Sequence, residues 1–490
     1  MSLNAHIDDS TPVVVGVGTA DEEAEPAHLM VTALDRAAAD ATASAAAGRR
    51  LLEALERVAV PQGSWKYPDP ARLVAAGVGA PEARTVLAEL GIPQQTLINQ
   101  AMADVAGGRA SVVAVVGGEA RAWAQRSGEG AVETAQPGLA PDERQAPASP
   151  IVSREEVAAG LVSPVSQYAM IDNALRAAEG KTIDEHVREL SELWSRFNAV
   201  AGTNPSAWFG EPRSAEFLAT PGPGNRALAF PYNKWHASQW TVNQAAALII
   251  CSAGSARQHG IPPDRWVFPL VGLESSLAVT LSHRRQPHRW PAMGVLGRAA
   301  SDHLGLPLGE IGTVETYSCF PAAVRVQQRE LGLPLDGTPT ITGGMAFSGG
   351  PLNNFVYQAT AAMVGAVRAD AGSMGMVTTV SGLLTKPGLA VWCAEPRGPL
   401  LLGDLAAQAE SATEIVHVLP EHEGQATVIS YTVVHFPPHA DRPPRLIALL
   451  ETSEGHRCLA ASEEPDLVDG ASGRELIGDK MMVRGTALLS

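Results

Sequence analysis

Apolar positions along this chain fall into two periods, and their alternation predicts most of its elements. Pro12-Val-Val-Val-Gly-Val-Gly18 is an unbroken β-branched run closed by glycines, which predicts a buried strand with a tight exit. Ala27 to Glu56 carries leucines at helical spacing in an alanine-rich background, and Val58-Ala-Val60 follows as a short strand. Gln95 to Gly107 reads as a helix with small residues on one side, and Ala110 to Glu119 as a strand buried on both faces. Strand, helix, strand in this order predicts parallel-sheet α/β architecture. Val242 to Ser255 reads as a small-residue helix and Trp266 to Val271 as a strand. The plan then repeats: helix Met293 to Leu304, strand and turn Gly312 to Phe320, helix Ala322 to Leu331, helix Asn354 to Ala369, strand Met374 to Val380.

Three stretches depart from this plan. Gln125 to Ser149 is rich in Gly, Ala, Pro and Glu without period and reads as a flexible excursion. From Val162 to about Pro231 the composition shifts to an aromatic- and Arg-bearing insertion, with an amphipathic run Asp172 to Glu179 and a helix Ile183 to Ala199. Beyond Gly398, short alternating runs such as Gly424 to His435, Arg445 to Glu451, Arg457 to Ala461 and Lys480 to Ala487 predict a small all-β barrel or sandwich.

At 490 residues, two to four domain-sized units are expected. The formal charge of −16 disfavours nucleic acid and acidic membranes as partners, although a local cluster such as His283-Arg284-Arg285 with His288-Arg289 reads equally as an anion contact or a solvated loop. No signal peptide and no spanning segment is read, so a cytoplasmic location is expected. Cys251, Cys319, Cys393 and Cys458 are far apart without Cys-x-x-Cys spacing, which argues against a metal site and for buried, reduced thiols. The Gly16-Val-Gly18 pair lacks the third glycine of a dinucleotide fingerprint.

The stretch Thr342 to Asn354 is the most telling. Four glycines in thirteen residues make a shaped loop, placed after a β-rich run Pro339 to Thr342 and before a helix, where loop amides and a helix N-terminus face a ligand. This loop, with Ala106-Gly-Gly-Arg109 leading into the strand that ends Gly117-Gly-Glu119, resembles the thiolase superfamily across most of residues 10–397. The pattern is most similar to thiolase-like protein type 1, an acetyl-CoA-acetyltransferase-like group with an added C-terminal domain. The resemblance implies a layered αβαβα fold of two similar α/β halves. The N-terminal half would comprise residues 1–125 and 232–275 and the C-terminal half 276–397. A loop domain would take 126–231, and an OB-like β domain 398–490.

A thiolase uses a nucleophilic cysteine, a second cysteine for proton transfer and oxyanion holes around His or Asn. The resemblance places Gly91 at the nucleophile. Glu315-Thr-Tyr-Ser-Cys-Phe320 looks like the Asn-Glu-Ala-Phe or His-Asp-Cys-Phe loop, with Tyr317 for the Asn or His. Ser348-Gly-Gly-Pro351 looks like the Gly-His-Pro loop, with Gly350 for the His, and Thr379-Val-Ser-Gly382 looks like the Cys-x-Gly loop, with Val380 for the cysteine. Ordinary thiolase activity is therefore expected to be absent. Cys319 and Ser381 are the neighbours that retain reactive or hydrogen-bonding atoms.

Coenzyme A or an acyl-CoA is the ligand the resemblance implies, with no metal. Its phosphates would meet Arg176, Arg196, Arg213, Arg226 or Lys234, each of which reads more readily as a surface or helix-pairing charge, and Ser238 and Gly349 are further cofactor-binding candidates. A role in lipid metabolism follows from the same resemblance. The alternatives are a non-catalytic scaffold docking a protein partner through residues 398–490, or transferase or thioesterase chemistry through Cys319. Residues 401–490 hold fourteen acidic against six basic residues, which discounts nucleic acid for the OB-like unit. Thiolases are usually dimers joined near the cysteine-bearing strand, and because Thr85 to Leu90 is atypical the resemblance allows a monomer here without excluding a dimer.

Overall fold

A computed structural model describes residues 7–128, 133–136 and 138–489. The chain opens with β1 (Pro12–Ala20), then α1 (Pro26–Ala41) and α2 (Ala45–Glu53). The single helix expected over Ala27 to Glu56 breaks at Thr42 to Ser44, where the Ser44 hydroxyl accepts the Ala47 amide at 3.3 Å and starts a second helix. There follow β2 (Arg57–Pro61), α3 (Pro70–Gly77), β3 (Arg84–Ala88), α4 (Gln94–Ala106), β4 (Val112–Ala120) and α5 (Arg121–Ser127). The stretch expected as a featureless excursion ends in an ordered edge strand, β5 (Glu143–Gln145); its residues 129–132 and 137 lie outside the described residues.

The insertion contributes α6 (Arg154–Ala159), α7 (Pro164–Ala178), α8 (Ile183–Ala201), α9 (Ala215–Ala219) and a tight pair of strands, β6 (Ala227–Ala229) and β7 (Tyr232–Asn233). The chain then re-enters the core as β8 (Asn243–Ser252), where the alanine pattern predicts a helix. Tertiary context overrides that pattern: β8 is hydrogen-bonded on both sides, to β1 and β4, and Asn243 to Cys251 are all buried. Small residues suit the place because strand and neighbours approach closely. A Cβ on Gly118 would lie 2.9 Å from that of Ala245, its partner in register.

After α10 (Ala253–Gln258) and β9 (Phe268–Glu274) come α11 (Pro291–Leu304), β10 (Thr313–Glu315), α12 (Pro321–Leu331), α13 (Phe355–Ala369), β11 (Met374–Ser381), β12 (Lys386–Cys393) and β13 (Leu401–Asp404). The repeat foreseen from element order is visible in pairing sense. In the first sheet β2 is parallel to β4, β4 antiparallel to β8, and β8 antiparallel to β1; in the second β10 is parallel to β11, β11 antiparallel to β12, and β12 antiparallel to β9. Helices α4 and α13 hold the equivalent place before β4 and β11. They touch strands of both sheets and each other, so they form the central layer. Each therefore aims its N-terminus at the same end of the sandwich.

Strand β13 continues the second sheet by pairing with β9, and α14 (Ala406–Ala412) packs on α11, so residues past 398 still belong to the second α/β half. The remainder is β14 (His422–Val434), β15 (Arg445–Glu451), β16 (Arg457–Ser462), α15 (Pro465–Ala471), β17 (Lys480–Gly485) and β18 (Ala487–Leu489). The pairings β14 with β15, β15 with β16, β16 with β18, β18 with β17 and β17 with β14 close a barrel and leave no open edge among those strands. The barrel is joined to the insertion. Val434 pairs with Ala229, Asn173 on α7 donates to the carbonyls of Phe230 (3.0 Å) and Tyr431 (2.9 Å), and Ser430 donates to Met170 at 2.6 Å. No helix of the described residues is long and apolar enough to cross a membrane.

Candidate active site

The N-termini of α4 and α13 meet directly. The Gln94 side chain accepts the Val356 amide at 2.8 Å, and the Tyr357 hydroxyl donates to the Gln94 carbonyl at 3.3 Å. Both helix starts are buried, and their positive ends would favour a negative or carbonyl oxygen there. Around this junction the structure gathers the loops picked out from the sequence. Ser238 donates its amide to the Cys319 carbonyl at 2.9 Å, Gly350 donates to Gln239 at 2.8 Å, and the Lys386 ammonium donates to the Gly91 carbonyl. Ile151 touches the positions where side chains on Gly91 and Gly382 would begin.

Each degenerate position is fixed by its surroundings. Gly91 has φ +103° and a Cβ there would sit 3.1 Å from Pro147, so the place is shaped for glycine. A Cβ on Gly350 would fall 1.8 Å from the Ser238 hydroxyl oxygen: that hydroxyl fills the volume a histidine would need. A Cβ on Gly349, φ +107°, would fall 2.3 Å from the Gln244 side-chain oxygen. Tyr317 and Val380 are buried, Tyr317 edge-on to Phe355 with ring centroids 5.9 Å apart.

The loop's shape has an identifiable cause. Pro339 to Thr342, expected as a strand, instead wraps around the buried Glu315 carboxyl. That group accepts the amides of Ile341 (2.7 Å) and Thr342 (2.9 Å) and the hydroxyls of Thr340 (2.9 Å) and Thr342 (3.0 Å). A side chain supplying the acceptors a strand partner would supply lets the backbone turn. Burial pushes the Glu315 carboxyl up to about 7, against the pull of those hydrogen bonds.

No activated thiol is present at this place. Burial pushes Cys319 up to about 12 while a hydrogen bond from Tyr168 pulls it down; Cys251 and Cys393 are also raised to about 12 by burial, and Cys458 to about 11. A thiol held that high is protonated at neutral pH. Two buried histidines lie behind the site, on and near α8. His186 faces Asp172 at 2.9 Å, and Tyr232 donates to the same carboxylate at 2.7 Å. His236 Nδ1 accepts the Asn233 amide at 3.1 Å, which leaves the proton on Nε2, facing Ser191 at 3.3 Å. His236, lowered to about 4 by burial, thus donates to Ser191 and cannot serve as its base.

The cations expected for phosphates divide. Arg176 is buried and ion-paired with Glu475 of the barrel, so it is structural and out of a ligand's reach. Arg213 stacks 3.7 Å over Trp235 and donates to the Phe209 and Glu211 carbonyls. Arg196, bonded to Thr338, and Arg226 stay exposed, and Lys234 is half-buried beside Trp235. The basic cluster 283–289 is engaged as well. Arg284 is buried on the Leu383 carbonyl (2.6 Å), Arg285 pairs with Glu414 and Glu451, and Arg289 with Glu330. A cleft of about 440 Å³ lies beside Thr342, Ser348, Asn204 and Phe355 at the start of α13, and a separate one of about 650 Å³ lies between α8, α9 and His435. Sequence reasoning missed Lys386, whose only signal is a lysine four residues after the Val380-Ser-Gly382 turn, and gave Glu315 no role. Among the described residues no group of His, Cys, Asp or Glu is arranged to hold a metal ion.

Two similar α/β halves with paired helices between their sheets, an insertion and a closed terminal barrel define a thiolase-like protein carrying an OB-fold domain. The model of the ChsH2 C-terminal OB-fold domain matches residues 420–486. A monomeric SCP2-thiolase-like protein type 1 from Mycobacterium smegmatis is similar over 98% of this chain and 98% of its own, at 27% identity and a TM-score of 0.83. The dimeric peroxisomal thiolase of Saccharomyces cerevisiae shares the fold over 80% of this chain and 99% of its own (13% identity, TM-score 0.58). An Ltp2-ChsH2(DUF35) aldolase shares it over 79% and 98% (19%, 0.58). No curated protein is a significant match in sequence.

Proposed function

We propose that this chain binds coenzyme A or an acyl-CoA at the junction of α4 and α13 and acts in lipid metabolism without ordinary thiolase chemistry. One observation carries the second part: the Ser238 hydroxyl stands where an imidazole at position 350 would begin, so the site is built around the loss. Arg196, Arg226 and Lys234 are the cations left free to meet phosphates, with Ser238 and Gly349 at the thioester end. Calorimetric titration with coenzyme A and with acetyl-CoA tests the reading, and saturable heat is the expected result.

A scaffold role is the second reading. It is favoured by the exposed apolar side chains of Ile415 and Met482 in the C-terminal region, and it predicts no saturable heat with either ligand. Transfer or hydrolysis through Cys319 is disfavoured by its protonated, buried thiol.

A further inference from the structure

We infer that Lys386 is a nucleophilic amine standing in for the missing thiol, and that it forms an imine with the carbonyl of a ketone or aldehyde ligand. The inference deepens the proposed ligand reading by naming a carbonyl class for the same place. Lys386 begins β12, paired with Ser381 across the β11–β12 turn. It is only 5% exposed, and its ammonium donates to the carbonyl of Gly91, the position of the nucleophile in the thiolase resemblance.

Two features separate it from a structural lysine. An ammonium has three donors, and among the described residues this one meets a single neutral acceptor and no carboxylate. Burying a charge so poorly compensated is costly, whereas burying the neutral amine is not. Desolvation accordingly lowers its pKa from 10.5. The turn that presents it is held in an uncommon shape: Gly382 has φ +71° and Leu384 φ +53°. Thr385 donates to the Ser381 carbonyl at 2.9 Å, Arg284 to Leu383 at 2.6 Å, and Trp290 to Thr385 at 3.2 Å. A non-glycine residue in the left-handed region is strained and persists where surrounding structure imposes it, often at functional places.

The chemistry balances without a co-reactant. The amine lone pair attacks the carbonyl carbon and the oxygen takes up a proton to give a carbinolamine. Loss of water then leaves the carbon–nitrogen double bond, so amine and ketone become imine and water.

A small 1,3-diketone, 2,4-pentanedione, reports such an amine by condensing to a stable enaminone with near-ultraviolet absorption. The full-length protein is incubated with it near neutral pH, and peptide mass mapping locates the adduct, which weighs the diketone less one water. Lys66, Lys181, Lys234 and Lys480 are internal controls, all less buried than Lys386. The expected result is labelling of Lys386 several-fold faster than of any of these, since desolvation holds more of it as the neutral, reactive amine. Lys386→Met should remove the fast phase of the absorption and leave the slow phase of the other amines. No adduct, or adducts only on the four controls, overturns the inference whether or not the variant folds. The probe carries no coenzyme A moiety, so its failure is distinguishable from absence of coenzyme A binding in calorimetry.

Discussion

A hydroxyl oxygen 1.8 Å from a Cβ that Gly350 does not have makes a sharp statement about one residue. Gly350→Ala should destabilise the chain by about 1–3 kcal/mol, the usual cost of overfilling a packed site, and adding Ser238→Ala should recover most of it, because the Ser238 Cβ lies at 3.2 Å. Denaturant midpoints of the two singles and the double decide this; additive effects would remove Ser238 as the occupant. Gly91→Cys should likewise fail to restore a nucleophile. At φ +103° and 3.1 Å from Pro147 the new side chain costs about 1–3 kcal/mol, and Tyr317, Gly350 and Val380 offer it no histidine or second cysteine. Thiolysis assays with acetoacetyl-CoA should stay at background. Positions 91, 317, 350 and 380 can be singled out in sequence because the glycines and prolines framing them stand out. The Ser238 plug is not readable, since it joins residues over a hundred positions apart, and one lysine at 386 forms no pattern.

At the scale of elements, the glycine loop owes its path to a carboxyl on β10. The ordinary value of 4.5 for Glu315 is raised to about 7 in the fold by burial, the hydrogen bonds opposing. Between those values the folded chain keeps a proton that the unfolded chain releases. Stability from this group is therefore whole below about pH 4.5 and is lost as pH rises through 7, by about 3 kcal/mol at ~1.4 kcal/mol per unit. Urea midpoints between pH 4.5 and 8 should fall with rising pH in the wild type. They should flatten in Glu315→Gln, which has no proton to lose; an unchanged slope would place the effect elsewhere. The strand-like composition of Pro339 to Thr342 misleads because β propensity presumes a ladder partner, and here a side chain supplies the acceptors. The run Asn243 to Ser252 misleads in the other direction. Alanines that suit a helix also suit a strand squeezed between two others, and composition does not separate the two.

For the whole molecule, the decisive small element is β5. In the thiolase resemblance subunits pair near the nucleophile-bearing strand, which here is β3, and the solved relatives include both a monomer and a dimer. β5 occupies the outer edge of β3: Val86, Leu87 and Ala88 pair with Glu143, Arg144 and Gln145, and Glu89 donates to the Gln145 carbonyl at 2.8 Å. Asp142 secures the cap by accepting the Thr85 amide and the Arg72 guanidinium, each at 2.8 Å. The outward side chains are charged, Glu143 paired with Arg84 and Arg144 with Glu89, the kind of edge that discourages further strand addition. The wild type should therefore sediment as a monomer at all accessible concentrations. The Gln145 carbonyl accepts the Glu89 amide, so in this parallel register its own amide also faces β3; Gln145→Pro removes that ladder donor and should cost about 1–3 kcal/mol at a three-residue edge while baring the buried strand Thr85 to Ala88. Concentration-dependent association should then appear in sedimentation velocity, with the thermal unfolding transition still cooperative. A variant that remains strictly monomeric would mean that something other than this short cap keeps two copies apart.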